Sequence, residues 1–328
     1  MLDEKMLEVL REGKGSYISG EEMCKRAGIS RAAIWKRIEK LREEGYDIEA
    51  VPHLGYRLIG VPDSLISGEI KWNLAAKVLG REIISYKKVD STNDIAYELA
   101  EKKMKEGTVI IAEEQTKGKG RHGREWVSPP KGGIYMSCIL RPEMEPSEIP
   151  KITLLAAVAV AKAIRAVTGL PASIKWPNDI LIDGKKVCGI LTEMKAEQDS
   201  VAFIILGIGV NVNTPSKTLP KTATSLKAEL HNIGKDATIS RIELARNILE
   251  SVEKYYDILK DSGASSIIEE WKNLSGMLGS KIRVVLPKRQ FEGKAHTIDR
   301  DGALIVRLAS GVLERISSGD VVMLREKT

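Results

Sequence analysis

The sequence predicts an α+β protein in three parts: a winged helix-turn-helix, a central domain on a mixed or largely antiparallel sheet, and a small C-terminal SH3-like β-barrel. Three observations lead to this prediction. Capped helical segments come first, strand-like and helix-like segments then alternate, and short β-rich runs come last. We place the three domains at 1–62, 63–274 and 275–328.

The length and composition are those of a soluble globular protein. The 328 residues suffice for two or three domains, with 43% hydrophobic and 29% charged residues. The longest apolar run, 152–167, is too short and too charged to span a bilayer, and no signal peptide precedes it. We therefore expect a cytoplasmic protein with no membrane partner.

Cysteine and histidine usage argues against a metal enzyme. The 3 cysteines lie far apart, and the 4 histidines are scattered along the chain. Neither set has the spacing of a disulfide framework or of a metal site, so we expect no protein-bound metal. The net charge of +6 permits an anionic partner but does not require one.

Capping residues mark the elements of the N-terminal domain. Gly13–Gly15 ends the first helix, Ser19 and Ser30 cap the next two, and Gly28 turns the chain between them. This order, followed by a β-ribbon, is typical of a winged helix-turn-helix. The predicted helices and extended runs are, in order, 2–10, 21–26, 31–44, 46–51 and 55–59.

The third helix has the layout of a DNA recognition helix. Ile34, Ile38 and Leu41 share its core-facing side, which leaves small and basic residues on the outside. Trp35 lies on the flank, where packing under the wing is an equal possibility. The alternative is a module for protein contacts with an ordinary solvated face. The expected DNA-binding residues, in a helix-turn-helix from about Gly20 to Glu39 and in the wing, are Ser30, Arg31, Ala32, Lys36, Lys40 and Arg57.

The central and C-terminal domains follow from alternating patterns and turn residues. Predicted central strands are 83–89, 108–113, 134–140, 180–182, 186–194 and 201–212. Predicted central helices are 93–105, 147–167 and 240–260. Five short β runs are predicted at the C-terminus, at 281–286, 290–298, 303–307, 311–316 and 321–324.

A glycine-rich basic loop, residues 115–126, is the most informative segment. It contains a formal G-x-G-x-x-G, but Pro129 and Pro130 follow closely, so no helix opens as a dinucleotide site requires. Five cations within 117–124 repel one another unless an anion gathers them. Glycines allow close approach and arginine offers paired donors, so we expect a phosphate or carboxylate site. A flexible basic surface loop is the alternative.

Two further segments carry polar or glycine residues in unusual places. Lys-Trp-Pro-Asn-Asp at 175–179 precedes Asp183-Gly184, a hairpin signal that places Lys186 at the start of a returning strand. Gly-Ile-Gly-Val-Asn-Val-Asn at 207–213 has glycines where another group must approach closely. Taken singly, each feature has an ordinary structural explanation. Trp176-Pro177 would be a packed corner, Lys186 a solvated lysine, and the glycine pair a β-bulge.

Taken together, the segments resemble biotin protein ligases. The set comprises Asp90-Ser91-Thr92-Asn93, the basic loop, 175–179, 183–191 and 207–213, in this order. With the N-terminal module and the small β domain, the chain resembles the bifunctional form of that family, which also represses a biotin operon. The resemblance covers nearly the whole chain. Its most specific parts are the basic loop and the Lys-Trp-Pro-Asn-Asp segment.

The resemblance implies a two-step reaction and its partners. Family members join biotin to ATP, with Mg²⁺ as activator, and release pyrophosphate. They then transfer biotin from biotinyl-5′-adenylate to a lysine of a biotin carboxyl carrier domain, typically that of acetyl-CoA carboxylase. Operator DNA and a homodimer in the adenylate-bound state are the other implied partners. No tightly bound prosthetic group is implied.

Matching motifs imply the site residues. Arg121 and Lys186 are expected to stabilise charge at the α-phosphate, because the first step needs fixed positive charge and no proton transfer. Asp179 is expected to accept the proton of the attacking amine, although it could equally bind the metal or orient Lys186. The implied biotin contacts are Ser91, Thr92, Asn93, Gln115, Lys119, Gly120, Arg121 and Lys186. The implied nucleotide and phosphate contacts are Gly118, Lys119, Arg121, Arg124, Asn178 and Asn211.

The sequence departs from the family pattern at two places, and three alternative functions stay open. Lys119 stands where many members carry arginine, so the charge is kept and the bidentate fork is lost. The segment 214–224 has no aromatic residue to stack on adenine; Trp126 is the alternative platform, or a core residue. The rivals are a lipoate ligase, an adenylate-sensing repressor without turnover, and a ligase whose winged helix no longer binds an operator.

Overall fold

The computed structural model describes residues 2–197 and 200–324, which form two compact units divided between Ser64 and Leu65. Each unit has a hydrophobic core of its own. The outermost parts of the predicted domains, residue 1 and residues 325–328, lie outside the described residues. The predicted division at 274/275 stays a prediction. Within the described part of the chain, no helix is both long and apolar enough to cross a membrane.

The N-terminal unit has the predicted order of elements. Ser19 Oγ accepts a hydrogen bond from the Glu22 amide at 3.1 Å, and Ser30 Oγ accepts one from the Ala33 amide at 3.3 Å, so both serines cap helices. Gly28 turns the chain at φ 72°. The winged helix-turn-helix prediction is confirmed. Its elements are α1 (Leu2–Glu12), α2 (Gly20–Ala27), α3 (Arg31–Glu43), β1 (Asp47–Val51) and β2 (Gly55–Gly60).

A seven-stranded sheet forms the centre of the second unit. Its spatial order is β3-β4-β5-β9-β8-β7-β6, and every neighbouring pair is antiparallel except β3 and β4. The mixed, largely antiparallel sheet is therefore confirmed. Its strands are β3 (Ile83–Tyr86), β4 (Val109–Ala112), β5 (Gly133–Leu140), β6 (Ser173–Lys175), β7 (Asp179–Ile182), β8 (Lys185–Glu197) and β9 (Ser200–Asn211).

Helices cover the sheet, and the apolar helix α6 is buried along most of 152–164, where it packs against α8 and α9. It begins later than predicted because a 3₁₀ turn, Pro146–Glu148, takes up the first residues. The helix predicted over 93–105 ends at Glu101. The helices of this unit are α4 (Ser67–Lys71), α5 (Thr92–Glu101), α6 (Ile149–Thr168), α7 (Leu226–Asn232), α8 (Arg241–Ser262) and α9 (Ser265–Leu274).

The five predicted C-terminal β runs are all present and form one antiparallel sheet in the order β13-β12-β11-β10-β14. Trp176 joins this sheet to the central domain. Its backbone amide donates to Met277 Sδ at 3.0 Å, and its indole Nε1 donates to the Gly302 carbonyl at 3.0 Å. The strands are β10 (Lys281–Leu286), β11 (Arg289–Ile298), β12 (Leu304–Arg307), β13 (Leu313–Ile316) and β14 (Asp320–Met323).

Candidate functional site

A cavity of about 420 Å³ lies in the second unit, between the start of α5, the basic loop, the central sheet and the C-terminal sheet. Most of the expected ligand-binding residues line it. They are Ser91, Thr92, Asn93, Gln115, Lys119, Gly120, Arg121, Arg124, Asn178, Asp179 and Lys186. Two others, Gly118 and Asn211, do not line it.

Gly118 and Asn211 lie outside the cavity lining, and each has a role in local packing or hydrogen bonding. A β-carbon at Gly118 would lie 2.4 Å from the Trp126 carbonyl oxygen, so glycine is needed there for backbone to pack on backbone. Asn211 is buried, and its side-chain amide donates to the Thr224 carbonyl at 3.1 Å. Asn211 therefore ties Thr224 to the end of β9.

One end of the cavity is neutral and polar. Ser91, Thr92 and Asn93 are buried at the N-terminus of α5. The amide and hydroxyl of Thr92 lie 2.8 and 3.0 Å from Gln115 Oε1, and Gln115 Nε2 donates to Ser128 Oγ at 2.9 Å. The side chains at this end are held by one another, which fixes donors and acceptors before any ligand arrives.

The basic loop is folded back on itself. The Gly120 amide donates to the Arg124 carbonyl at 2.6 Å, and the Trp126 amide donates to the Gly118 carbonyl at 2.8 Å. Carboxylates of the α5 region neutralise part of its charge: Lys117 Nζ lies 2.8 Å from Asp90, and Lys119 forms an ion pair with Asp94. The hydrogen bond from Lys117 lowers the pKa of Asp90.

The C-terminal sheet contributes a carboxylate that sequence reasoning missed. Asp320, at the start of β14, forms an ion pair with Arg124, and its Oδ1 lies 3.6 Å from Arg121 Nη1. Arg121 also donates to the Gly319 carbonyl at 3.2 Å. Burial lowers the pKa of the Arg121 guanidinium. From the sequence alone, Gly319-Asp320 before Val321-Val322 indicates only a turn.

A second cationic cluster lies on the central sheet. Lys186 Nζ is 2.5 Å from Asp179 Oδ1, and Lys175 Nζ is 3.8 Å from Asp179 Oδ2. Asp183 and Gly184 have φ of 47° and 71°, as a two-residue type I′ hairpin requires, so Lys186 follows the turn as expected. Burial lowers the pKa of Lys175. Lys175 lies in the Lys-Trp-Pro-Asn-Asp motif, and the sequence predicted no role for it.

Trp126 forms one wall of the cavity. The ammonium of Lys186 lies 5.3 Å from the centre of its ring, within the range of a cation–π contact. A β-carbon at Gly209 would lie 2.6 Å from the indole nitrogen, and one at Gly189 would lie 3.1 Å from the ring. The group that approaches β9 at Gly209 is therefore Trp126, whereas the Asn93 side chain approaches the same strand at Gly207. The indole is half-buried in the wall and is not a core residue.

The candidate DNA residues lie in the N-terminal unit. Arg31, Ala32 and Lys36 are exposed on α3, whereas Ser30 caps that helix. Trp35 is 61% exposed, so it does not pack under the wing.

Two of the expected DNA-binding cations already have carboxylate partners. Lys40 Nζ lies 2.7 Å from Asp3 Oδ2, and Arg57 Nη2 lies 2.5 Å from Glu49 Oε2. The Arg57 guanidinium also lies 4.6 Å from the centre of the Tyr17 ring. These pairs orient both side chains within the unit.

Comparison with known proteins finds matches along nearly the whole chain. A model of the biotin/lipoate A/B protein ligase family matches residues 85–211. A model of an HTH domain matches residues 3–57, and a model of the biotin protein ligase C-terminal domain matches residues 277–324. The three matches fall in the order of the three predicted parts.

Whole proteins of similar length also match. The bifunctional ligase/repressor BirA of Bacillus spizizenii is 40% identical over 320 residues, which are 98% of each protein. The bifunctional ligase/repressor BirA of Escherichia coli is 26% identical over 317 residues, 97% of this chain and 95% of that protein. Among solved structures, the biotin protein ligase from Aquifex aeolicus in complex with biotin and ATP superposes with a TM-score of 0.61 and 29% identity, covering 75% of this chain and 100% of that chain.

Proposed function

The chain belongs to the biotin protein ligase family, in the bifunctional ligase/repressor form, and on that premise we propose that it activates biotin with ATP and transfers it to a carrier lysine. One observation carries the proposal. A single cavity joins a neutral polar end, suited to the biotin ring, to a cationic end built from Arg121, Lys175 and Lys186. Two anions, a carboxylate and a triphosphate, must meet in such a site for adenylation.

In the first step, a biotin carboxylate oxygen attacks the α-phosphorus of ATP, and the bond to pyrophosphate breaks. No proton moves, so the protein contributes binding and fixed positive charge. Arg121 and Lys186 are held in place before the substrates arrive, by Gly319 and by Asp179. We assign the stabilisation of negative charge at the α-phosphate to these two side chains.

In the second step, the carrier lysine nitrogen attacks the acyl carbon of the adenylate, and AMP leaves. The attacking amine loses a proton, and Asp179 is the carboxylate that we propose to accept it. Before that, Asp179 positions Lys186 through their 2.5 Å contact. The two roles use the same carboxylate at different stages of the reaction.

Magnesium is the proposed activator, and the residues present fit a substrate-borne ion. Among the residues that the structure describes, no three metal-ligating side chains cluster together. Mg²⁺ usually keeps several waters and binds through substrate phosphates with one or two carboxylates. Among the oxygen donors that line the cavity, Asp179 and Asn178 are the two that we assign to the ion, which would neutralise charge on the leaving pyrophosphate.

The N-terminal unit supports a second role, repression at an operator. Exposed Arg31 and Lys36 on α3 suit contacts with DNA in the major groove. We propose that bound adenylate favours a homodimer, which then spans a two-fold operator. Equal operator affinity with and without adenylate would refute this coupling. DNA and a carrier protein share the cytoplasm, where we propose that the chain acts.

The decisive experiment is a transfer assay with the purified chain, ATP, Mg²⁺, biotin and a biotin carboxyl carrier domain of acetyl-CoA carboxylase, with lipoate in parallel. We expect the carrier to gain the mass of biotin and not of lipoate. Arg121→Ala should lower the rate by about 10²–10³, the usual cost of one preorganised contact. Arg283→Ala, at an exposed arginine paired with Glu292, is the matched control.

Each other outcome identifies a rival. Tight binding of biotinyl-adenylate without any transfer would make the chain an adenylate-sensing repressor. Transfer of lipoate in place of biotin would make it a lipoate ligase. Transfer of biotin by a chain that fails to shift operator DNA would leave a ligase whose winged helix has lost its target.

A further inference from the structure

The amide of Asn93 is held on three sides by groups that belong to the sheet. Its Nδ2 donates to Glu193 Oε2 at 2.6 Å, and its Oδ1 accepts from Ser137 Oγ at 2.6 Å. A β-carbon at Gly207 would lie 2.2 Å from Oδ1, so the third side is closed by the backbone of β9. Asn93 lines the cavity, whereas Ser137 and Glu193 do not.

Ser137 also connects Asn93 to Thr92. Its Oγ is completely buried and lies 2.8 Å from Thr92 Oγ1. The Ser137 hydroxyl is the donor to both Asn93 Oδ1 and Thr92 Oγ1, which share its one proton. The Thr92 hydroxyl in turn donates to Gln115 Oε1 at 3.0 Å. Gln115 Oε1 also accepts from the Thr92 amide at 2.8 Å.

The result is a network of hydrogen bonds that runs outward from Ser137, through Thr92 to Gln115 and beside Asn93 to Glu193. The carboxylate of Glu193 can only accept, so it fixes which side of the Asn93 amide is the donor. Because Gln115 takes the Thr92 proton, the Thr92 oxygen is left to a ligand as an acceptor. Asn93 keeps a second amide proton, as a donor. A cyclic urea has N–H donors beside a carbonyl acceptor and matches this pair.

We propose that Ser137 and Glu193 are positioning residues that set the hydrogen-bond direction of Thr92 and Asn93 and so select a ligand with a cyclic urea. The inference rests on the proposed function, since it concerns the biotin end of the same cavity. Glu193 also lies beside the basic loop, with Oε1 4.0 Å from Lys119 Nζ. The same carboxylate therefore lies between the polar end of the cavity and the basic loop.

The test compares three ligands on the full chain by calorimetric competition. Biotin and desthiobiotin contain the urea, whereas a thiolane pentanoic acid contains the ring sulfur and the carboxylate without it. Ser137→Ala should lower the affinity for biotin and for desthiobiotin by about tenfold or more, the usual cost of leaving a buried acceptor unpaired. It should leave the affinity for the thiolane pentanoic acid and the KM for ATP unchanged. Glu193→Gln, which keeps size, should have the same pattern.

Thr108→Val is the matched control, because it removes a buried hydroxyl that bonds only the Lys105 carbonyl, away from the cavity. It should lower the melting temperature without changing the ratio between ligands. If Ser137→Ala fails to fold, Glu193→Gln decides. Equal weakening of all three ligands by Ser137→Ala and Glu193→Gln, or none, would overturn the inference while biotin transfer by the unmodified chain stands. Absence of biotin transfer by the unmodified chain would instead refute the proposed function.

Discussion

Asp179 Oδ1 and Lys186 Nζ lie 2.5 Å apart, on neighbouring strands of the central sheet. The pair joins a carboxylate, proposed to take a proton in the second step, to a cation proposed to act in the first. On that proposal, one carboxylate serves both steps without moving. The relationship makes the roles of Asp179 separable by experiment.

Asp179→Asn should slow both half-reactions. Adenylation should fall because Lys186 loses the charge that orients it, and transfer should fall by about 10²–10⁴ because a general base is removed. The measurements are pyrophosphate release and single-turnover transfer from preformed biotinyl-adenylate. Asp183→Asn, in the exposed hairpin turn, is the control. Unchanged transfer from preformed adenylate would remove Asp179 from the role of base.

Gly209→Ala should damage the site through Trp126. The new methyl group would lie 2.6 Å from the indole nitrogen, so the ring must move and its contact with Lys186 is lost. We expect weaker binding of biotin and ATP and a loss of about 1–3 kcal/mol in the free energy of unfolding, as overpacking costs. Isothermal calorimetry and denaturant unfolding measure the two effects. Gly20→Ala, where a β-carbon meets open space, is the control, and equal behaviour of the two variants would contradict the close packing.

Adenylate formation should depend on pH through Lys175. Burial lowers the pKa of its ammonium, so the positive charge is present below that pKa and is lost as the pH rises through it. We expect the rate to fall on the alkaline side at a lower pH than an ordinary lysine would cause. Lys175→Arg should move this fall to higher pH, because arginine stays charged. Pyrophosphate release measured against pH checks this. Identical pH profiles for the unmodified chain and Lys175→Arg would show that the charge of Lys175 does not affect adenylate formation.

Operator binding should distinguish two lysines of α3. Lys36 is exposed, whereas Lys40 is already paired with Asp3 at 2.7 Å and Glu44 at 3.5 Å. Each phosphate contact contributes about 0.9 to the slope of log K against log salt concentration. Lys36→Ala should therefore weaken binding and reduce the slope by about 1, and Lys40→Ala should change it less. Gel shifts over a salt series measure both slopes. A larger change for Lys40→Ala would reverse this assignment.

Local patterns predicted the fold well where they are strong. Ser19 and Ser30 cap the helices that they were expected to cap, and Asp183-Gly184 forms the expected hairpin. Three short elements, α4, α7 and β6, gave no periodic signal long enough to recognise. The helix α9 was missed although its buried residues, Ile267, Ile268, Trp271 and Leu274, have helical spacing. The third predicted central helix, by contrast, was placed within two residues of its observed ends, at Arg241–Ser262.

The site was predictable only where its residues lie in motifs. Asp320, in the C-terminal sheet, forms ion pairs with Arg121 and Arg124 of the basic loop. No local sequence pattern predicts a contact between residues so far apart in sequence. Ser137 and Glu193 are polar residues within strands otherwise read as apolar runs. Their partners become visible only when β5, β8 and α5 meet.

The bond between Arg121 and the Gly319 carbonyl spans 198 residues of sequence. At the usual rates of translation, the ribosome needs roughly 10–40 s to cover that interval. During this time the basic loop has been synthesised but β14, which forms one wall of the cavity, has not. A nascent chain therefore exposes its arginines to cellular polyanions before their own carboxylate exists. The cavity can be completed only after β14 has been synthesised.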